Sequence, residues 1–389
     1  METSAHESTR WQAARVAAVA LLCAAAWLGI NVAFNYGGHI SGLFWTGSGA
    51  SLPPELSHTQ RVGDPVGYDG MYYRLIAHDP LIRRGFMVYV DNPRLRWRRI
   101  LVPGVAALLT AGSDRYVDFA YVVIEMAFVF LGAYWLSRFA QRQGARTAWG
   151  LAFLAIPAVA ISLDRMTVDL PLAALTIGLM LYGNAQPRWP VYAMLLAAPL
   201  VRETGAVLVA AWCVYSALRR DWQAAIRGAA CALPAVAWWV YVGGRTPGDG
   251  ASGWIASYPF SGLVKRTLEG VTDPTSTLWL RAAAAFEELA LAGFWLAMVL
   301  AVYLVWKRRT GLIEVTAILF AGFAATLGFV EIWGSAYATG RSLAPLLIAL
   351  GLLALKERRI AFALPLALVL PRIALQYEAQ IKSALRNLI

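Results

Sequence analysis

The sequence predicts an all-α polytopic transmembrane helix bundle, and three observations carry that prediction. Of 389 residues, 59% are hydrophobic and 15% charged, against roughly 45–50% and 25% in ordinary soluble domains, so lipid rather than water is the solvent this composition fits. Apolar stretches close to the ~20 residues that cross a ~30 Å hydrocarbon core recur from residue 14 to residue 375. The formal charge of +11 is gathered into four short clusters between those stretches: Arg138, Arg142 and Arg146; Arg219, Arg220 and Arg227; Lys307, Arg308 and Arg309; Lys356, Arg358 and Arg359. Lys/Arg-rich loops of that kind are retained on the cytoplasmic side, so the basic charge is read as topology and no nucleic-acid partner is expected.

Taken in order, spans are expected at 14–34, 115–137, 147–163, 170–183, 189–201, 204–218, 225–243, 287–306, 311–330, 341–355 and 359–375, about eleven in all. The chain reads as one membrane-embedded domain, 1–389, with a tail and first span at 1–34, a long outer loop at 35–114 and the rest of the bundle at 115–389. The first stretch is longer than a signal-peptide apolar region and lacks a clear cleavage site, so it reads as a retained span. All four basic clusters and the amino terminus share one face only if RILVPGVAALL (99–109) does not cross, and at 11 residues it is too short to do so unaided. Several later spans run to only 13–15 residues, which demands extension by flanking polar residues or local thinning of the bilayer.

The same parity gathers the remaining polar clusters on the outer face. In the first loop, GMYYRLIAHDPLI and RWRRILVPGVAALL set apolar residues at helical spacing beside arginines, the pattern of helices lying in an interface. Asp69, in GDPVGYDGMYYR together with Asp64, precedes a helical pattern. It reads either as the cap of that helix or as an acidic group in a site, because eight arginines lie between Arg61 and Arg99, as a phosphate site would require. Lipid-headgroup anchoring is the other reading of those arginines. SLDRMTVDLPL places Asp164 and Asp169 at a helix mouth, where Asp169 caps the next helix or orients a sugar hydroxyl. In VRETG, Arg202 and Glu203 either pair with each other or leave Arg202 free for phosphate. Arg341, after IWGSAYATG, snorkels to the interface or joins the site. Asp118 and Glu125 share one helix face, and the deeper Glu125 is expected to face the bundle interior and bond another helix. The scattered Cys23, Cys213 and Cys231 read as small core residues. His6, His39, His58 and His78 are too dispersed for a metal site, and no HExxH, Walker A, GxSxG or CxxC pattern occurs.

In their order these motifs resemble the GT-C superfamily of membrane glycosyltransferases, which includes lipid A aminoarabinose transferases, protein O-mannosyltransferases and the mannosyltransferases of glycolipid anchor synthesis. GYDGMYYR is similar to the family's acidic site in the first outer loop, with Asp69 in the acidic position. Asp169 in DRMTVDLPL looks like its second aspartate, Arg202 in LVRETG like its basic residue before a small-residue turn, and Arg341 in GRSLAPLL like its late arginine. Arg98, Arg99 and Pro103 stand where one branch carries a Lys-Pro-Pro segment, which is absent here, as is a soluble carboxy-terminal domain; GYDGMYYRLIAHDP with DNPRLRWRRILVP looks like a bacterial branch.

The resemblance implies an integral enzyme of the bacterial plasma membrane, active on its outer face. It would move a sugar from a polyprenyl-phosphate donor to a glycan, lipid or protein acceptor. Asp69 would act as general base or bind a divalent metal, with Asp169 as the second catalytic acid. Asp64, Tyr72, Tyr73, Arg98, Arg99, Asp164, Arg202, Glu203, Tyr337 and Arg341 would bind substrate, with Tyr68 and Trp254 as further ring surfaces. No cofactor is required beyond the possible metal. The rival class is a transporter or flippase of a lipid-linked anion, which would also use arginines and intramembrane acids; the absence of an internal repeat and the placing of charge at the rim favour an enzyme. A non-catalytic membrane scaffold is the third class.

Overall fold

The computed structural model describes residues 2–183, 188–248, 256, 258–270, 278–328 and 330–388. Trp254 lies outside the described residues. Among them the chain is all-α, and its one strand pairing is a two-residue parallel contact of Thr46–Gly47 with Arg61–Val62.

Four helical stretches are long and apolar enough to cross a membrane: Arg10–Asn35, Val117–Arg142, Trp222–Gly243 and Trp279–Trp306. Two bent pairs bring the number to six if each is one span: Thr147–Ala155 with Pro157–Arg165, bent by 58°, and Ala336–Ser342 with Ala344–Glu357, bent by 68°. This is fewer than the eleven expected, and the prolines and glycines explain the difference. The remaining apolar stretches form Asp169–Tyr182, Trp189–Val201, Gly205–Leu218 and Leu312–Ala325, helices of 13 or 14 residues, each only about 20 Å long. Pro365 starts a helix that runs just from Leu364 to Ala374. A proline in a first turn starts a helix where an uninterrupted run would have extended one.

The amino-terminal helix packs along Val117–Arg142, which also supports Thr147–Ala155 and Asp169–Tyr182. Trp279–Trp306 packs against Leu364–Ala374, and Leu312–Ala325 against Ala344–Glu357. Asn35 Nδ2 donates to the Gln380 carbonyl at 3.1 Å, tying the end of the first helix to the last one, Glu378–Leu388.

The bundle has two chemically distinct ends. At one, Arg142, Arg219 and Lys356 line a single cavity beside Glu314, Lys356 Nζ lies 2.8 Å from Glu314, and Arg309 pairs with Glu357 at 3.4 Å. The four basic clusters therefore converge. The opposite end holds the starts of Val117–Arg142, Asp169–Tyr182 and Ala344–Glu357, with Asp118, Asp169 and Arg341.

The segment from 36 to 116 packs onto that second end more intimately than a lid resting on lipid would. Its helices are Asp69–His78, Pro93–Arg96 and Leu101–Leu109; the last, at nine residues, is about 14 Å long and too short to cross. Tyr73, Ile76, Trp97 and Val102 are buried against the bundle. The Asp79 carboxylate collects the backbone N–H groups of Arg83, Arg84 and Phe86, and Trp97 Nε1 donates to the Asp79 carbonyl at 3.0 Å. Trp238 Nε1 donates to the Trp97 carbonyl and the Tyr241 hydroxyl to that of Leu81, both at 2.7 Å, which docks the segment on Leu233–Gly243. The arginines responsible for the interfacial appearance of this segment are largely spent on carboxylates and backbone carbonyls of the protein itself.

Candidate active site

Every charged residue at the centre of the site stands at a helix start, end or break. Asp69 opens Asp69–His78 and Asp169 opens Asp169–Tyr182. Arg202 adopts an extended backbone in the gap between Trp189–Val201 and Gly205–Leu218, and Arg341 lies in the last turn before the bend into Ala344–Glu357. Arg96 and Arg99 flank the short connection into Leu101–Leu109. Breaks of this kind let polar side chains converge without placing a charge on a lipid-facing helix surface.

Glycines make the close approaches possible. A Cβ on Gly70 would run into the carbonyl oxygen of Arg165, so the glycine after Asp69 lets this helix start abut the end of Pro157–Arg165. A Cβ on Gly205 would strike the Ala198 carbonyl, so the VRETG turn can close only with glycine there.

Neither aspartate is a side-chain cap: the first turns of both helices lack a side-chain capping bond, and the carboxylates face arginines instead. Arg341 Nη2 donates to Asp69 Oδ2 at 2.5 Å, and its Nε lies 3.3 Å from Asp169 Oδ2. Arg96 Nη2 lies 2.9 Å from Asp69 Oδ1 and 2.8 Å from Asp91 Oδ2. Arg202 pairs with Asp169 and donates to the Ser342 hydroxyl at 3.1 Å. Arg341 is therefore the bridge between the two aspartates, ruling out simple snorkelling.

Arg202 and Glu203 do not pair with each other, contrary to one of the expected alternatives. Glu203 accepts a two-pronged bond from Arg99, at 2.9 and 2.5 Å. The extended backbone at Arg202 sends successive side chains apart, so each finds a different partner. Tyr73 is fully buried and its hydroxyl accepts from Arg99, and from Arg96 at 3.4 Å. It fixes the two guanidinium groups from a fully buried position. Tyr72 packs on Arg96, whose Cζ is 5.0 Å from the ring centroid.

Burial alone would push the Asp69 carboxyl up, but Arg341 and Arg96 outweigh it and hold it far below the usual carboxylate range. Burial likewise opposes ionisation of Glu203, and Arg99 brings its pKa down to about 2. Arg341 Nη1, although buried, has no hydrogen-bond partner among the described residues. The cluster thus holds a guanidinium N–H that no acceptor among the described residues satisfies.

Four expected residues, Asp64, Arg98, Asp164 and Tyr337, fall outside the cluster. Asp64 is exposed and its carboxylate accepts from Val66 N at 2.9 Å, so it organises a turn. Arg98, adjacent to Arg99 but directed elsewhere, lies over Trp239 at 5.9 Å. Asp164 forms a separate buried knot with Arg165, Gln376 and Gln380. Glu125 faces the interior as expected, yet both its carboxylate oxygens lack a partner among the described residues, so the expected bond to another helix is not made.

The Asp164 knot borders a cavity of about 340 Å³ that also reaches Tyr68, Trp279, Tyr337 and Arg372. Tyr68 links the two regions, because its ring lies under Arg341 at 5.4 Å and Arg165 at 5.5 Å. Arg165 also stacks on Trp45, 3.3 Å from the ring centroid. Arg96 and Arg165 are the residues that sequence reasoning left out: Arg96 was one of eight crowded arginines, and Arg165 was overlooked beside Asp164. As for a metal, guanidinium groups already neutralise both aspartates, and among the described residues no group of three His, Cys, Asp or Glu side chains is placed to hold an ion.

Fold and site together define an all-α protein with several helices able to cross a membrane and one buried arginine–carboxylate centre at their breaks. No protein-family model, no curated protein and no solved structure matches the chain.

Proposed function

We propose that the protein is a multi-pass membrane glycosyltransferase of the GT-C kind, using a polyprenyl-phosphate sugar at the end of the bundle opposite the basic clusters. The distribution of lysine and arginine supports reading that end as the outer face, and the GT-C resemblance is what suggests a bacterial plasma membrane. The observation that carries the reading is Arg341, which bridges Asp69 and Asp169 while its Nη1 stays unsatisfied.

A phosphate oxygen is the natural acceptor for that N–H, since planar guanidinium groups bind phosphate at two points. As the donor's phosphate engages Arg341, it competes with Asp69 for the same cation. Asp69 then loses one of the partners that depress its pKa and becomes a stronger base. The acceptor hydroxyl attacks the anomeric carbon, its proton passes to Asp69, and the bond from that carbon to the phosphate oxygen breaks. Negative charge grows on the departing phosphate, beside Arg341 and Arg202, where fixed cations stabilise the transition state most. Asp169 keeps those two arginines in place. The cavity bordered by Tyr68, Trp279 and Tyr337 supplies rings and planar polar groups of the type that orient a sugar.

The test is transfer from a polyprenyl-phosphate sugar by the purified protein. Arg341→Ala removes a charged hydrogen bond to phosphate and should lower kcat/KM for the donor by about ten- to a hundredfold, with Arg341→Lys recovering only part because the planar fork is lost. Donor kinetics unchanged in Arg341→Ala would sink the phosphate assignment.

A further inference from the structure

A further cavity, of about 340 Å³, lies outside this chemistry. It sits between Val117–Arg142, Thr147–Ala155, Asp169–Tyr182 and Ala344–Glu357, and its walls include Leu136, Trp149, Ile177, Ile348 and Gly351. Among the described residues, Arg358 is the one charged residue that lines it. Trp149 and Ile360, at its mouth, are 52% and 80% exposed, so the cavity opens to the surroundings of the bundle.

Two features look built for an occupant. A Cβ placed on Gly351 would meet no atom within 4 Å, so the absent side chain leaves the space open. Arg358 ends Ala344–Glu357 in the left-handed region, at φ 55°, a position usually given to glycine. It has no carboxylate partner among the described residues, its Nη2 lies beside the turn at Gly144, and exposed Arg359 follows it in the chain while exposed Arg146 follows Gly144 by two positions.

We propose that this cavity holds one acyl chain of an anionic phospholipid, with the headgroup phosphate on Arg358 and its neighbouring arginines. The apolar walls offer nothing to orient a polar ligand, whereas the charge among the described lining residues is that of Arg358, and basic pockets between membrane helices bind anionic headgroups. Arg358 and the catalytic cluster lie at opposite ends of Ala344–Glu357, about 20 Å apart. A phosphate held at Arg358 is therefore not the one that reacts, and the site stands whether or not the protein is a transferase.

The test uses the full chain in vesicles of phosphatidylcholine doped with phosphatidylglycerol carrying a photoreactive group at the end of one acyl chain. Cross-links should fall on the peptides around Trp149 and Gly351, and the matched phosphatidylcholine probe should label them at least fivefold less. Gly351→Phe, which fills the cavity, should remove them. Arg358→Ala with Arg359→Ala should erase the headgroup preference while acyl labelling persists. Equal labelling by the two lipids in the wild-type protein overturns the proposal without recourse to any variant. So does labelling that survives Gly351→Phe in protein of unchanged thermal stability. Displacement of the probe by an equimolar polyprenyl phosphate also overturns it, by assigning the cavity to the donor's carrier.

Discussion

Replacing Asp69 by asparagine separates chemistry from architecture because of how the charge network is wired. Truncating one member of a buried ion pair costs about 3–5 kcal/mol when it strands the partner. Here neither partner is stranded: Arg96 retains Asp91 at 2.8 Å, and Arg341 retains Asp169 at 3.3 Å. Asparagine keeps the carbonyl acceptor and the volume, so the loss in stability should be nearer the net value of one charge-assisted bond, about 1.5–3 kcal/mol at most. Removing a general base should slow transfer by about 10²–10⁴, a barrier change of about 3–5 kcal/mol. The assay is single-turnover transfer from a polyprenyl-phosphate sugar by purified protein, with thermal unfolding of the same preparations. Arg99→Ala is the structural control: Arg99 is the only ion-pair partner of Glu203 among the described residues, so this variant should unfold far earlier than Asp69→Asn. Wild-type turnover by folded Asp69→Asn refutes the catalytic role, and equal destabilisation by the two variants refutes the wiring argument.

Three further outcomes are expected. Because Arg341 and Arg96 depress the Asp69 pKa in the empty protein, its contribution to stability is present above the usual carboxylate range and is lost only as pH falls through the depressed value. The acidic limb of kcat/KM, which reports the free enzyme, should therefore lie at lower pH than that of kcat, where phosphate has drawn Arg341 away; coincident limbs would argue against the exchange. In protein lacking Cys23, Cys213 and Cys231, a cysteine at exposed Ser57 should react with an impermeant external thiol reagent and one at exposed Thr310 should not; the reverse pattern inverts the topology. Gly70→Ala forces a Cβ against the Arg165 carbonyl, an overpacking of about 1–3 kcal/mol, and an unshifted unfolding midpoint would show that the helix start is not packed there.

Asp69, Asp169, Arg202 and Arg341 were legible in the sequence because each lies at a break that leaves a local mark: Gly70 after the first, Pro171 after the second, Gly205 after the third, Pro345 after the fourth. Their partners were not. Arg96 reaches Asp69 across 27 positions and Arg99 reaches Glu203 across 104, and neither Arg98 nor Arg99 carries a mark that tells which one turns inward. The phase of so short a helix as Pro93–Arg96 is set by the packing of Trp97 and Tyr73, not by its own pattern. Gln376 and Gln380 belong to the carboxy-terminal segment, whose polar periodicity reads only as a solvated helix until it is folded back onto Asp164. The span count was over-read for a related reason: an apolar run of 13 or 14 residues has the composition of a crossing, and its length is decided by where a proline starts the helix.

The wiring also bears on how such a site stays assembled when empty. Arg96, Arg99, Arg202 and Arg341 are balanced by Asp69, Asp91, Asp169 and Glu203. Four buried guanidinium groups without those carboxylates would repel one another and draw water into the end of the bundle. Under the proposed chemistry the carboxylates hold the phosphate-binding groups in position, and the same pairing keeps Asp69 too weak a base to act. A neutral sugar hydroxyl cannot displace a carboxylate from an arginine, whereas a phosphate can, because it brings its own charge and a matching pair of oxygens. Under the proposed chemistry the donor must bind before Asp69 is able to take a proton. An acceptor arriving first meets a carboxylate still bound to Arg341, so the empty protein is protected from activating water in place of its substrate.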